Sequence, residues 1–263
     1  MQSQDPVMPA TTQPRIERAL EILDSEITLA TDERAAFRRF RARLASIDLA
    51  TPAAPSLAGT GGGTVTLGGG DPAPSEGIRA VRSAYRETVM ATPHFEREYD
   101  ESLREHVAAE LGAEVAAQVA DGARLTPVLY EALERGSEQA ILERTEFLRV
   151  LERERESLRE IRDALHDCES EAHALSEAVT DAADSAELGR IDDRLATLER
   201  ECADLAERRQ ACLHGRTVGS FSGVDADSLV DFLYEECEAT CPGLATTTDC
   251  LSSIRAIRQR CLR

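Results

Sequence analysis

Residues 141–179, ILERTEFLRVLERERESLREIRDALHDCESEAHALSEAV, decide how this chain must fold. Leu148, Leu151, Arg155 and Leu158 share one helical face, and after one three-residue step Ile161, Leu165, Cys168, Ala172, Leu175 and Val179 continue it. Apolar residues at alternating steps of three and four make the narrow stripe by which one helix packs on another. TDAADSA (180–186) breaks the pattern, which resumes over Ile191, Leu195, Leu198, Cys202, Leu205, Arg209 and Cys212. Two such helices joined by a short polar loop predict an antiparallel coiled-coil hairpin over 137–214. Arg155 and Arg209 stand at seam positions, where a charge is expected to select register or partner.

Working outward, 14–47 reads as a further coiled-coil helix. Ile16, Leu20, Leu23, Ile27 and Ala30 form its seam, and after a break Phe37, Phe40, Leu44 and Ile47 continue it. A lone helix of that length needs a partner surface, supplied by the same chain or by another. Residues 48–75 are rich in Gly, Pro, Ala and Thr and read as a flexible linker, within which TVTL is too short to make a strand. Its GTGGGT lacks the spacing, the lysine and the preceding strand of a phosphate loop.

Residues 76–136 predict a small helical domain. Helices 76–91 and 93–111 meet at Thr92-Pro93, with Thr92 as cap and Pro93 as first helical residue. Gly112 and Gly122 bracket a short helix at Ala113–Asp121. Thr126-Pro127 repeats the start signal, and Gly136 is expected to interrupt the helix that follows. HGRTVGSFSG (214–223) is a loop, and 224–263 closes the chain as two shorter helices, 225–238 and 243–262. The predicted fold is all-α, an elongated helical bundle carrying a long antiparallel coiled-coil hairpin.

The chain has 263 residues, with 49 Asp and Glu against 30 basic residues, a net charge of −19. All the basic residues are arginine; Lys, Asn and Trp are absent. Without lysine there is no phosphate-loop lysine and no Schiff-base lysine. So large a negative charge strains a compact state by self-repulsion, which salt relieves because the Debye length falls to about 3 Å at 1 M. Lys and Asn both use A-rich codons, so their joint absence adds a GC-rich genome, and a salt-loving microbe accounts for both facts. No signal peptide and no membrane span are visible, and seven cysteines confined to the second half do not form a secreted disulfide framework. A cytoplasmic protein with reduced thiols is expected.

The stretch Tyr85-Arg86-Glu87-Thr88-Val89-Met90-Ala91-Thr92-Pro93-His94-Phe95, with Glu98-Tyr99 after it, resembles a family of uncharacterised haloarchaeal proteins with an R-E-T-V-M-A-x-P-H-F/Y motif. The similarity extends to Ala36, Phe37 and Phe40, to the long hairpin, and to Phe232-Leu233-Tyr234 and Pro242. The family is one of unknown function, so the resemblance implies habitat and helical architecture and no activity. The cysteine load near the C-terminus departs from it.

Tyr85, Arg86, Glu87, His94 and Glu98 form the candidate functional corner, where a helix–proline–helix bend gathers an acid, a base and a cation. The competing reading is packing of the bend, with Arg86 and Glu87 pairing across it. Cys237, Cys241, Cys250 and Cys261 would supply four thiolates for zinc, but their spacing lacks a C-x2-C pair, and core packing is the better account. The five histidines are scattered, without a di-iron or zincin motif. Arg38, Arg39, Arg41 and Arg43 are candidate anion-binding residues, and Arg255, Arg258, Arg260 and Arg263 form a second basic island. Nucleic acid is conceivable for these, although salt and net charge oppose it; pairing with Glu-rich helix faces is the alternative. The expectation is a non-enzymatic interaction or scaffold protein, without a cofactor, that binds a protein partner or itself through coiled coils. A DNA-associated regulator and a small metal-binding domain are the alternatives.

Overall fold

The computed structural model describes residues 14–47, 74–182, 184–216, 226–235 and 237–261. Of the expected linker 48–75, residues 48–73 lie outside them; of the expected loop 214–223, residues 217–223 lie outside them, while 214–216 continue a helix instead of opening the loop. The described residues form helices α1 (Pro14–Leu44), α2 (Glu76–Thr88), α3 (Phe95–Glu98), α4 (Leu103–Leu111), α5 (Ala113–Asp121), α6 (Pro127–Asp181), α7 (Ser185–Arg216), α8 (Ala226–Tyr234) and α9 (Pro242–Cys261). No strand occurs among them, and the fold is all-α. None of these helices is long and apolar enough to cross a membrane.

The chain divides into two compact units, Thr28–Leu148 and the combination of 1–27 with 149–263. This division cuts across the helix-by-helix boundaries expected from the sequence, because α1 and α6 each contribute to both units. In the second-named unit, opposite charges set the helix directions. Glu17 and Asp24 of α1 meet Arg162 and Arg155 of α6, so those two run antiparallel within the one chain. Glu154 and Glu171 of α6 meet Arg209 and Arg194 of α7 in reversed order, which is the hairpin. Asp192 and Glu199 of α7 meet Arg258 and Arg255 of α9, and Arg15 reaches Asp249 to close α9 onto α1. The result is a four-helix bundle around Leu23, Leu151, Leu158, Leu165, Leu195 and Ile254.

Residues Thr28–Leu148 fold around Phe37, Phe40, Ile78, Tyr85, Val107 and Leu133. Thr126 caps α6 through its Oγ1, which accepts from Leu129 N at 3.1 Å, as the Thr-Pro signal predicts. Gly136, by contrast, does not interrupt α6, which runs unbroken for 55 residues. A glycine there costs about 1 kcal/mol of helix propensity. The space it leaves is filled: a Cβ at 136 would lie 2.9 Å from Leu111 Cδ2, so the gap lets α4 approach.

The Thr92-Pro93 junction also differs from expectation. Thr92 Oγ1 donates to Val89 O at 3.4 Å instead of capping a helix, and α3 begins only at Phe95 for a single turn. Burial of His94 and Phe95 decides this path. The expected helix 93–111 is then split again: Asp100 takes a left-handed φ of 45°, and α4 restarts behind a capping box. Ser102 Oγ accepts from Glu105 N, and Glu105 Oε2 accepts from Ser102 N at 2.9 Å.

Candidate functional site

In the unit Thr28–Leu148, Glu33 of α1 is the hub of a polar network. Its Oε1 accepts from Tyr99 Oη at 2.6 Å and lies 3.3 Å from His94 Nε2, while its Oε2 accepts from Arg144 Nε at 2.8 Å. Arg144 of α6 donates also to Glu110 of α4 at 2.7 Å, and its guanidinium sits 4.8 Å from the centre of the Phe37 ring. Burial works to lower the Arg144 pKa, but the two carboxylates outweigh it and hold the guanidinium ionised. With two acidic partners and an aromatic face, Arg144 is a clamp on three helices.

A second pair lies next to it. Tyr85 Oη and His106 Nδ1 are 2.9 Å apart, and the His106 ring is enclosed by Tyr85, Phe95 and Tyr99 at 4.9 to 5.8 Å. Burial lowers the His106 pKa, so the imidazole stays neutral near pH 7, and burial raises both tyrosines. Glu101 Oε2 is buried without a hydrogen-bond partner among the described residues. The Glu33 carboxylate ties His94, Tyr99 and Arg144 together, and the aromatic rings cage the His106 imidazole. The chemistry of this cluster is that of a structural clasp.

The five residues of the expected corner separate. Tyr85 and His94 are buried in the clasp, with His106 and Glu33 as their partners. Arg86, Glu87 and Glu98 are exposed; Glu87 pairs with Ser83 and Arg43, and Glu98 with Arg97. The acid that His94 meets is therefore Glu33, distant in sequence, and Arg144 holds the other oxygen of that carboxylate. A signal for both existed. Glu33 fills the gap in the apolar series between Ala30 and Phe37, and Arg144 stands one turn before Leu148 on the α6 stripe.

In the four-helix bundle the seam charge of α6 is Glu154, not Arg155. Steps of three and four from Leu151 to Leu158 allow either residue inside. The structure buries Glu154 against Arg209, with Nη1 to Oε2 at 3.0 Å and Nη2 to Oε1 at 2.5 Å. Tyr234 Oη donates to the same carboxylate at 2.6 Å, and Ser157 Oγ accepts from Arg209 at 3.0 Å. Arg155 lies at the flank, 3.1 Å from Asp24. Both arginines thus pair within the one chain. Gly243 makes room for this pair: a Cβ there would meet Leu158 at 3.2 Å and Ile161 at 3.3 Å, with Arg209 Nε at 3.7 Å.

The thiols do not gather as a late-cysteine quartet. Cys250 Sγ lies 3.8 Å from Cys202 Sγ across α7 and α9, and Cys261 bonds its own helix at Ile257 O. Eleven residues along one helix separate Cys250 from Cys261 by about 16 Å, too far to share an ion. Among the described residues no three His, Cys, Asp or Glu are placed to hold a metal. The bond from Cys168 works to lower the Cys202 pKa, but Cys250 and burial push it up to about 12. The Cys202 thiol stays protonated, as a packing residue does.

Of the basic islands, Arg255 and Arg258 pair with Glu199 and Asp192, and Arg260 donates to Ser176. Arg263 lies outside the described residues. In the other island Arg41 meets Glu138 and Arg43 meets Glu87, whereas Arg38 and Arg39 are exposed, with no carboxylate partner among the described residues.

No curated protein and no solved structure matches the chain. The model of a family described as a domain of unknown function (DUF7260) matches residues 14–258, nearly the whole length, and the chain belongs to that family.

Proposed function

We propose that this protein is a non-enzymatic helical interaction module of a haloarchaeal cytoplasm, and that it binds a protein partner through the outer surface of its four-helix bundle. The bundle seams are occupied within the chain, by Glu154–Arg209 and by the α1–α6 pairs, so recognition falls to the outer faces. Acidity, all-arginine basic content and the RETVMATPHF stretch support the habitat.

The observation that carries the reading is Phe232. In the Phe232-Leu233-Tyr234 run, Leu233 and Tyr234 are buried and Tyr234 bonds Glu154, while Phe232 is 60% exposed. It lines a groove of about 370 Å³ with Ile22 and Leu233, edged by Arg18 and Glu26. Packing explains two residues of the run and leaves the aromatic one for an anchor, the type that dominates protein interfaces.

The test is purification of tagged protein from a native haloarchaeal host at cytoplasmic-like salt, alongside Phe232→Ser. A protein that accompanies the wild type stoichiometrically and is lost with the variant is the expected result. Absence of any such companion, or equal retention by the variant, overturns the reading. Unchanged helical circular dichroism confirms that the variant is folded.

A further inference from the structure

The segment Arg34–Arg43 contains five arginines and no acid, in a chain where acids outnumber bases 49 to 30. Phe37 and Phe40 turn inward, and Arg39 and Arg43 lie one turn apart on one flank of α1. Arg43 reaches Glu87 of α2, which joins that flank to α2. There Arg79, Arg82 and Arg86, with Ser83 and Glu87, line one open groove of about 420 Å³.

The groove is prepared for an anion. Arg82 donates from Nε to Val119 O at 2.6 Å and from Nη2 to Gly122 O at 2.8 Å, so its guanidinium is already held at the end of α5. The ordering entropy of that side chain is met before any ligand arrives. Arg79 and Arg86 are exposed, and neither has a carboxylate partner among the described residues. Glu87 is the one acid lining the groove, and Ser83 and Arg43 already engage it. Bare arginines are conspicuous where carboxylates are in such excess.

We propose that the Arg79–Arg82–Arg86 face, flanked by Arg39 and Arg43, binds the phosphodiester backbone of a nucleic acid. The guanidinium fork matches a phosphate through two parallel bonds. From Arg79 to Arg86 the helix rises about 10 Å, more than one phosphate spans, so the face suits a run of phosphates passing along an open groove. Backbone contacts of this kind carry no sequence information. The net charge of −19 opposes approach, but at high salt the charges within a few ångströms decide the contact. The proposal uses none of the residues of the Phe232 groove, and either proposal can fail without the other.

The experiment is fluorescence anisotropy of a short labelled DNA duplex titrated with the full chain along a KCl series, starting at the lowest salt at which the chain stays folded. The logarithm of affinity is expected to fall linearly with the logarithm of salt. Arg79→Gln with Arg86→Gln should weaken binding and reduce the slope by about 2, near 0.9 for each lost phosphate contact. Arg255→Gln, in the other unit, should leave the slope unchanged. Absence of binding throughout the series overturns the proposal, as does an unchanged slope in the double variant. Displacement by polyglutamate as effective as by unlabelled duplex also overturns it, since the face would then be reading carboxylates.

Discussion

In the four-helix bundle, buried charge is a dry pair: the side chains of Arg209 and Glu154 are 0% and 1% exposed, closed in by Tyr234 and Ser157. In the unit Thr28–Leu148 it is a partly wet network, with Arg144 at 13% and Glu33 at 18%, spread over two carboxylates, a tyrosine and a histidine. A dry pair has lost the hydration of both ions, and each ion has the other as its opposite charge. A wet network shares its charge and keeps some water, so losing one member leaves the others served. The first device specifies register stringently; the second ties several short helices together with more tolerance.

Arg209→Leu should break the bundle most, by about 3–5 kcal/mol in chemical denaturation, because the buried Glu154 carboxylate loses the guanidinium bonded to it. Adding Glu154→Leu should recover most of that loss, and failure to recover would show that the pair stabilises beyond its own charge balance. Glu33→Gln should cost less, about 1–3 kcal/mol, since Arg144 keeps Glu110 and Tyr99 keeps an oxygen acceptor. Equal costs for Arg209→Leu and Glu33→Gln would erase the distinction between the two units.

A weaker effect is expected from pH. Burial holds His106 below the ordinary imidazole value of about 6.5, so as pH falls below that value the unfolded chain takes up a proton that the folded chain refuses. Stability contributed by this site therefore falls on acidification below about 6.5 and is flat above it. Comparing denaturation at fixed salt for wild type and His106→Gln isolates that slope, which the variant should lack. The smallest change belongs to Arg155→Leu, about 0–1 kcal/mol, with unaltered mass by light scattering. Its Asp24 partner is half-exposed and lies in the same chain, so a change of oligomeric state would return Arg155 to the role of partner selector.

Much of the helical layout was legible. Gly112 and Gly122 bracket α5 at Ala113–Asp121, Thr126-Pro127 starts α6, and the three-and-four steps of α6 and α7 announce the hairpin. The capping box at Ser102 and Glu105 was written in the sequence too, but Thr92-Pro93 offered a competing start signal. Less of the site was legible. The RETVMATPHF stretch marks where the clasp lies, since Tyr85 and His94 belong to it, while Glu33, Glu110 and Arg144 come from other helices.

By itself the sequence determined helix, polarity of face, and acidity, because these depend on neighbours one turn away and on composition. Whether Glu154 or Arg155 turns inward, whether Gly136 ends a helix, and which carboxylate meets His94 were decided only by the tertiary structure. Each depends on a partner far along the chain: Arg209 for Glu154, Leu111 for Gly136, and Glu33 for His94. Local steps of three and four leave two adjacent residues nearly equivalent, and only the free energy of the distant partner separates them.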